Sequence, residues 1–436
     1  MNAKIVPIDA LGKCSRLSPF SGKPGATFLS DEDSVIYNVH KNEIITSGKV
    51  LFFSLAGPRK EIYFDPGATT CGIVTCGGLC PGLNDVIRAI VIELYEQYGV
   101  NRVLGFRYGY LGLSKKSIAE PLELDPDNVG EIHSRGGTIL SSSRGVQDIS
   151  EMVQTLVDRK VKILFTVGGD GTMRGAMAIV EHIKKRGLGI SVIAVPKTID
   201  NDINYVRMSF GFRTAVQASV GVISSAHMEA KGAQNGIGLV KLMGRYSGFV
   251  AAYAALANSD VNICLVPEVP FHLEGKGGLY DVLHRRLQRK GHVVIVVAEG
   301  AGQNLIEEKC AKSKMDASGN IRPKDVGIFL KDEITEYFER IKFTVNLKYI
   351  NPSYMIRSVP ANAMDSAYCL ALGQTAVHAG MAGKTNMVVG FWNDHFIYVP
   401  IPMAVENIDH LNPNGRLWKT VMESTLQPYS IFEGVK

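Results

Sequence analysis

From Thr69 onward the chain repeats one local pattern: a short apolar run, a turn bearing glycine or a carboxylate, then a stretch with helical apolar spacing. The runs are continuous rather than alternating, as in Ile163-Leu164-Phe165-Thr166-Val167, which is how a strand buried on both faces reads. Gly72 to Thr75 leads into Gly77 to Gly82 and then into a helical stretch from Val86 to Tyr98. Further strands are expected at Ile163 to Val167, Val192 to Val195, Gly238 to Val240, Val261 to Val266, Val293 to Ala298 and Asn386 to Val389. Strands alternating with helices predict an α/β fold of doubly wound parallel sheets, whose ligands sit beyond the carboxyl ends of the strands. Residues 1 to 66 lack this grammar. They carry a turn-rich segment, Ser18 to Gly25, and acidic Asp31-Glu32-Asp33 before short β-like stretches, and read as an accessory extension ending near Asp65-Pro66-Gly67.

Composition narrows the class of function. A chain of 436 residues, 46% apolar and 20% charged, is long enough for two or three domains of the soluble globular type. The strictly apolar run beside His292, Val293 to Ala298, is far too short to span a bilayer. A net charge of +5 without Lys/Arg blocks suits a phosphate-handling pocket and does not indicate nucleic-acid binding. The start, Met1 to Ile5, lacks a signal-peptide core and the end, Glu433 to Lys436, is not an address tripeptide, so a cytoplasmic protein is expected. Seven scattered cysteines make no disulfide framework. Cys76 and Cys80 lack a second pair for zinc, and His227 and His378 lack partners at metal spacing. Gly383-Lys384-Thr385 resembles the end of a Walker A loop, but His378 stands where the earlier glycine is required, so it reads as a solvated turn.

Four motifs carry chemistry. In Gly168-Gly169-Asp170-Gly171-Thr172, glycines let backbone approach an anion, helix-terminal N–H groups can point at it, and Asp170 can hold Mg²⁺; alone it also fits an ordinary strand-to-helix turn. Gly77 to Asn84 reads as a phosphate cradle, although Pro81 would serve at the start of any helix. Pro196-Lys197-Thr198-Ile199-Asp200-Asn201-Asp202 sets two carboxylates two residues apart beside a hydroxyl and an amide. One carboxylate can take a proton from an alcohol while the other orders water and metal; the competing reading is an Asx-rich turn with Asp202 capping the next helix. Met243-Gly244-Arg245-Tyr246-Ser247-Gly248 offers Arg245 as a bidentate phosphate clamp or as a surface arginine at a helix start.

Taken in order and at these spacings, the four motifs resemble the phosphofructokinase family over roughly residues 69 to 405. The Thr75 to Arg88 cluster and the Pro-Lys-Thr-Ile-Asp-Asn-Asp run are most similar to its long plant and protist branch, which mixes ATP-like and pyrophosphate-like features. The resemblance implies phosphorylation of the 1-hydroxyl of fructose 6-phosphate by MgATP, the committed step of glycolysis. It implies two Rossmann-like three-layer α/β domains facing across a cleft. Residues 67–210 with 352–405 would take the donor, residues 211–351 with 406–436 the sugar, and 1–66 would be an N-terminal extension. Asp200 would be the general base and Asp170 the Mg²⁺ ligand. Gly78, Arg144, Gly169, Asp170, Gly171 and Thr172 would bind ATP, with Thr198, Lys197 and Arg144 at the transferred phosphate. Fructose 6-phosphate would fall to Thr198, Asp200, Asp202, Lys241, Met243, Gly244, Arg245, Glu299, Tyr354 and Arg357. A homo-oligomer, most often a tetramer, with effector sites at subunit contacts is also implied.

Two departures from the short bacterial pattern bear on substrate and donor. Gly236 stands where those enzymes carry an arginine lent to the sugar phosphate, so that clamp must be partly rebuilt, with Lys241, Tyr354 and Arg357 as candidates. Lys197 stands where they have glycine; pyrophosphate-dependent relatives share the lysine but pair it with an aspartate where this chain has Gly171. An aspartate would crowd and repel the α-phosphate of ATP, so Gly171 favours ATP, with pyrophosphate as the alternative donor. The Gly-Gly-Asp-Gly-Thr run also occurs in NAD kinases and diacylglycerol-type lipid kinases, which do not account for the other motifs. A catalytically silent nucleotide-binding regulatory subunit on the same fold is the reading from a different class.

Overall fold

Short continuous apolar runs form the centre of two sheets, each in its own unit of the chain. The computed structural model describes residues 2–37, 39, 49–309 and 324–432; Glu433 to Lys436, weighed above for an address signal, lie outside the described residues. One unit comprises Met1–Thr198, Ile203–Gly211 and Ser358–Asn407, and the other Ile199–Asp202, Phe212–Arg357 and Ile408–Lys436.

The first unit opens with β1 (Asn2–Ile5), β2 (Arg16–Leu17), β3 (Ser34–Ile36), β4 (Lys49–Ser54) and β5 (Glu61–Ile62). Its main sheet has seven strands, taken from β6 (Thr70–Thr75), β7 (Arg102–Phe106), β8 (Leu122–Leu124), β9 (Val161–Gly168), β10 (Ser191–Pro196), β15 (Met387–Trp392) and β16 (His395–Pro400). They lie in the order β16-β15-β10-β9-β6-β7-β8. Strands β15, β10, β9, β6 and β7 run parallel, and β16 and β8 close the edges antiparallel. Because side chains alternate across a strand, Leu164 packs with Met173, Ala176 and Ile179 of the helix Asp170–Lys185, while Ile163 and Phe165 meet Gly380 of the helix Ala363–Met381 on the other face. Helices therefore cover both faces of the sheet.

The early residues are built into this unit. Phe53 is wholly buried in the same apolar cluster as Ile397 and Val399. The Ala56 N–H donates to the Phe396 carbonyl at 2.8 Å, Leu55 bridges Ile397, and the Tyr398 hydroxyl lies against the backbone of Gly57. Asp31 joins both Arg59 (3.1 Å) and Lys384 (2.5 Å). The last contact corrects one expectation: Gly383-Lys384-Thr385 is no solvated turn, since Lys384 and Thr385 are buried beneath the early residues.

The second unit has four parallel strands ordered β12-β13-β11-β14: β11 (Gly236–Leu242), β12 (Ile263–Leu265), β13 (His292–Ala298) and β14 (Asn346–Ile350). The helices Leu279–Lys290 and Val326–Arg340 share a core with Ile237, Leu239 and Ile295 on one face. The helix Phe212–Lys231 covers the other, coming so near Gly238 that a Cβ there would stand 2.7 Å from the Ala226 carbonyl oxygen.

Several element readings shift. The stretch read as one helix from Val86 to Tyr98 is an α-helix over Leu83–Ile92 followed by a π-helical turn over Glu93–Tyr98. The run from Val261 narrows to a strand of three residues, Ile263–Leu265. Asp202 caps no helix, because the next one starts at Phe212.

Phe53→Ala is expected to cost about 3–5 kcal/mol, as for a large side chain removed from a closed core. Urea unfolding of the full chain checks this, and a loss below about 1 kcal/mol would mean the early residues add little to the core.

Candidate active site

In the first unit β6 is laid down first, β7 goes to one side of it and β9 to the other, so the strand order reverses between β6 and β9. That switch point, at the carboxyl ends, is where an open α/β sheet leaves a crevice. Register puts the relevant ends level: Thr75 lies beside Val167, and Gly168 beside Pro196. Three of the motifs leave the sheet there side by side.

Hydrogen bonds fasten these turns together. The Lys197 ammonium, nearly fully buried, donates to the Gly78 carbonyl at 2.8 Å, and the Lys197 N–H donates to the Gly168 carbonyl at 3.0 Å. The Gly77 N–H donates to the Ser143 carbonyl (3.1 Å), and the Ser142 hydroxyl to the Gly77 carbonyl (2.6 Å), which brings the loop carrying exposed Arg144 to the same place. Gly168 admits no side chain, since an added Cβ would stand 2.1 Å from Thr172 Oγ1. Thr172 is itself buried and takes the Tyr110 hydroxyl on its carbonyl at 2.7 Å. Gly169 precedes the helix Asp170–Lys185, so Asp170 and Gly171 form its first turn, where N–H groups are unspent and anions are favoured. A Cβ added at Gly171 meets no atom within 4 Å. Asp170 is half-exposed and pairs with Arg174 at 2.9 Å, whose guanidinium also donates to the Val405 carbonyl. Under this edge, burial pushes the Cys76 thiol up to about 12, which favours its protonated form.

In the second unit the order reverses at β11, with β13 on one side and β14 on the other. The carboxyl ends are again level, Leu242 beside Ala298 and Val240 beside Ile350. Met243, Gly244 and Arg245 follow β11, Glu299 follows β13, and Tyr354 and Arg357 follow β14. The Gly300 N–H donates to the Gly244 carbonyl at 3.0 Å, and a Cβ on Gly300 would stand 1.9 Å from the Arg245 carbonyl oxygen, so the two turns touch through backbone. The Arg357 guanidinium lies 4.8 Å from the ring centroid of exposed Tyr354. Buried Lys241 is engaged with Asp325 at 2.6 Å. Burial acts to raise the Asp325 carboxyl, but Lys241, the helix-terminal N–H of Ile328 and the Tyr349 hydroxyl outweigh it and hold the group below its ordinary value. Asp200 and Asp202 belong to this unit: the Ser247 hydroxyl donates to the Asp200 carbonyl at 3.1 Å, and the Asp409 N–H to the Asp202 carbonyl at 2.9 Å.

The candidate residues thus gather as two groups. Gly78, Arg144, Gly169, Asp170, Gly171, Thr172, Lys197 and Thr198 share one sheet edge; Lys241, Met243, Gly244, Arg245, Glu299, Tyr354 and Arg357 share the other. The chain passes from one unit to the other between Thr198 and Ile199, inside the third motif. At Gly236 a Cβ would meet the Ala230 carbonyl oxygen at 1.9 Å, so the position where the bacterial pattern has arginine admits no side chain. Sequence reasoning missed Asp325, Ser209 and Ser142. Asp325 had a legible signal, since it precedes a helix whose first N–H groups it accepts.

Residues 70–380 match the phosphofructokinase family. The chain is 46% identical over 435 residues to an ATP-dependent 6-phosphofructokinase of Borreliella burgdorferi, the match covering 97% of each chain. It is 47% identical over 403 residues to ATP-dependent 6-phosphofructokinase 7 of Arabidopsis thaliana, covering 92% of this chain and 82% of that one. In fold it is similar to the crystal structure of a pyrophosphate-dependent phosphofructokinase from Marinobacter aquaeolei, with a TM-score of 0.64 at 16% identity, over 83% of this chain and 92% of the other. The two doubly wound sheets and the length of these matches make the chain a member of the phosphofructokinase family.

Glu299 supplies a test of the second group. Burial raises its carboxyl above the ordinary 4.5 despite the nearby charges of Arg245, Lys241 and Arg357. The native state therefore keeps a proton that the unfolded chain has lost. The associated stability is full below the unfolded value and is lost as pH rises through the raised native value. Glu299→Gln is expected to raise the melting temperature relative to the parent at about pH 8, and by a smaller margin at about pH 4. An equal margin at both would mean that the carboxyl is not held protonated by burial.

Proposed function

We propose that the protein transfers the γ-phosphoryl group of ATP to the 1-hydroxyl of fructose 6-phosphate, yielding fructose 1,6-bisphosphate and ADP. The observation that carries this reading is the open first turn of the helix at Asp170–Gly171. It lies beside the buried Lys197 that holds the Gly77-Gly78 turn, in a chain nearly half identical to relatives named ATP-dependent 6-phosphofructokinase.

Phosphoryl transfer asks for alignment and charge stabilisation more than covalent chemistry. Asp200 would accept the proton of the attacking hydroxyl. Backbone N–H groups at Gly78, Gly169 and Gly171 would take phosphate oxygens, and Thr198, Lys197 and Arg144 would stabilise the group in flight. Asp170 fits Mg²⁺ in the way such an ion is usually held beside a nucleotide, by one carboxylate with phosphate oxygens supplying other ligands. The ion would draw charge from the phosphates, and Arg174 would share Asp170 with it. Arg245 and Arg357 would clamp the 6-phosphate, with Met243, Gly244, Glu299 and Tyr354 around the sugar and Asp202 beside the base. Lys241, already paired with Asp325, would act on the sugar phosphate as half of an ion pair. The first unit would serve as donor domain and the second as sugar domain, in a homo-oligomer with a tetramer favoured.

Pyrophosphate as donor is the second reading, and Lys197 is what favours it. Its hydrogen bond to the Gly78 carbonyl gives the lysine a role in shaping the turn whichever donor is used. Gly171, where nothing fills the space an aspartate would need, tips the reading to ATP.

Formation of fructose 1,6-bisphosphate from fructose 6-phosphate and Mg²⁺ is expected with ATP and not with pyrophosphate as sole donor. Pyrophosphate-only activity would overturn the donor, and no activity with either would leave a binding subunit. Asp200→Ser is expected to lower turnover by about 10²-fold or more with little change in substrate affinity, and near-normal turnover would remove it as general base. Gly171→Asp is expected to abolish ATP use without changing the melting temperature, and retained ATP turnover would refute the steric argument.

A further inference from the structure

Aromatic side chains from distant parts of the first unit meet beside the segment that follows the third motif. Tyr37, in the early residues, packs at a tilt of 31° against Trp392 at the end of β15 with ring centroids 4.7 Å apart, and its ring lies 5.0 Å from that of Tyr205. Fully buried Phe53 on β4 comes within 5.5 Å of the Tyr205 ring. The Trp392 indole N–H donates to the Tyr37 carbonyl at 3.1 Å. Tyr205 holds a left-handed backbone with φ of 62°, which a bulky residue keeps only where its surroundings over-determine it.

From that anchor the chain doubles back on the motif. The Arg207 N–H donates to the Phe391 carbonyl at 3.1 Å, and the Tyr368 hydroxyl to the Met208 carbonyl at 2.7 Å. The Ser209 hydroxyl then donates to the Thr198 carbonyl at 2.6 Å, and Phe210 bridges Lys197 in parallel. Ser209 and Phe210 are fully buried, so this seam has no room to drift.

We propose that Tyr37, Tyr205 and Ser209 are positioning residues for phosphoryl transfer. The aromatic cluster fixes the segment Tyr205–Phe210, and that segment fixes the backbone of Lys197 and Thr198, and with it where their ammonium and hydroxyl stand. The early residues are then part of the working enzyme. This inference rests on the function proposed above, in which Lys197 and Thr198 serve the transferred phosphate. Displacement by about 1 Å can cost up to about 10²-fold in rate, whereas the sugar contacts after β11, β13 and β14 do not pass through the cluster. A loss in kcat without a rise in the KM for fructose 6-phosphate is the signature of such a role.

The test is steady-state kinetics with ATP, together with melting temperature, on the full chain. Tyr37→Ala is expected to lower kcat by roughly tenfold or more with KM for fructose 6-phosphate within about twofold, and Tyr37→Phe, which keeps the ring, to restore kcat. A folded Tyr37→Ala enzyme with kcat within about twofold of the parent, or one whose loss lies in KM alone, overturns the proposal. If Tyr37→Ala does not fold, Ser209→Ala decides: a lowered kcat at parental KM supports the proposal and an unchanged kcat overturns it. Lack of ATP-dependent turnover in the unaltered protein is a separate outcome that removes the proposed reaction itself, and this inference with it.

Discussion

The parallel register of β6, β9 and β10 is the constraint on which the first group of site residues depends. Parallel strands cannot be joined by tight hairpins, so each must exit at the carboxyl edge and return through a helix on a face of the sheet. With Thr75 level with Val167 and Gly168 level with Pro196, every exit occurs at one height. A slip of one residue would turn Ile163 and Phe165 toward the wrong helices, so the core that fixes the register also fixes the site. The second sheet repeats the device with Leu242 and Ala298.

Both sheet edges hold a buried lysine. Lys241 is neutralised by Asp325, whose other oxygen takes helix-terminal N–H groups and the Tyr349 hydroxyl. Lys197 leans on the Gly78 carbonyl. Glu299 is a further buried ionisable group at the second edge, a carboxyl held above its ordinary value by burial.

Much of this was legible in the chain. Continuous apolar runs marked the central strands because both faces are covered, and glycine marked the turn after β9 because Thr172 leaves no space for a side chain at Gly168. What escaped was decided by partners far away in sequence. The π-helical turn at Glu93–Tyr98 lies where Tyr98 meets Phe20 and His378, and no local pattern encodes that company. Lys384 looked solvent-bound because nothing nearby announces Asp31, 353 residues away. Ser209 reads as an ordinary loop serine until the chain is seen to double back on Thr198.

The covering of β16 has a consequence for the life of the protein outside catalysis. An uncovered terminal strand offers a row of unmet N–H and C=O groups to any other strand that drifts past. Here the Phe396 carbonyl is met by Ala56, Ile397 is bridged by Leu55, and the Tyr398 hydroxyl closes on Gly57. The early residues therefore cover this edge of the sheet. A nicked chain that has lost them would present a sticky ladder to its neighbours, and its fate would be set by self-association before any question of turnover arose.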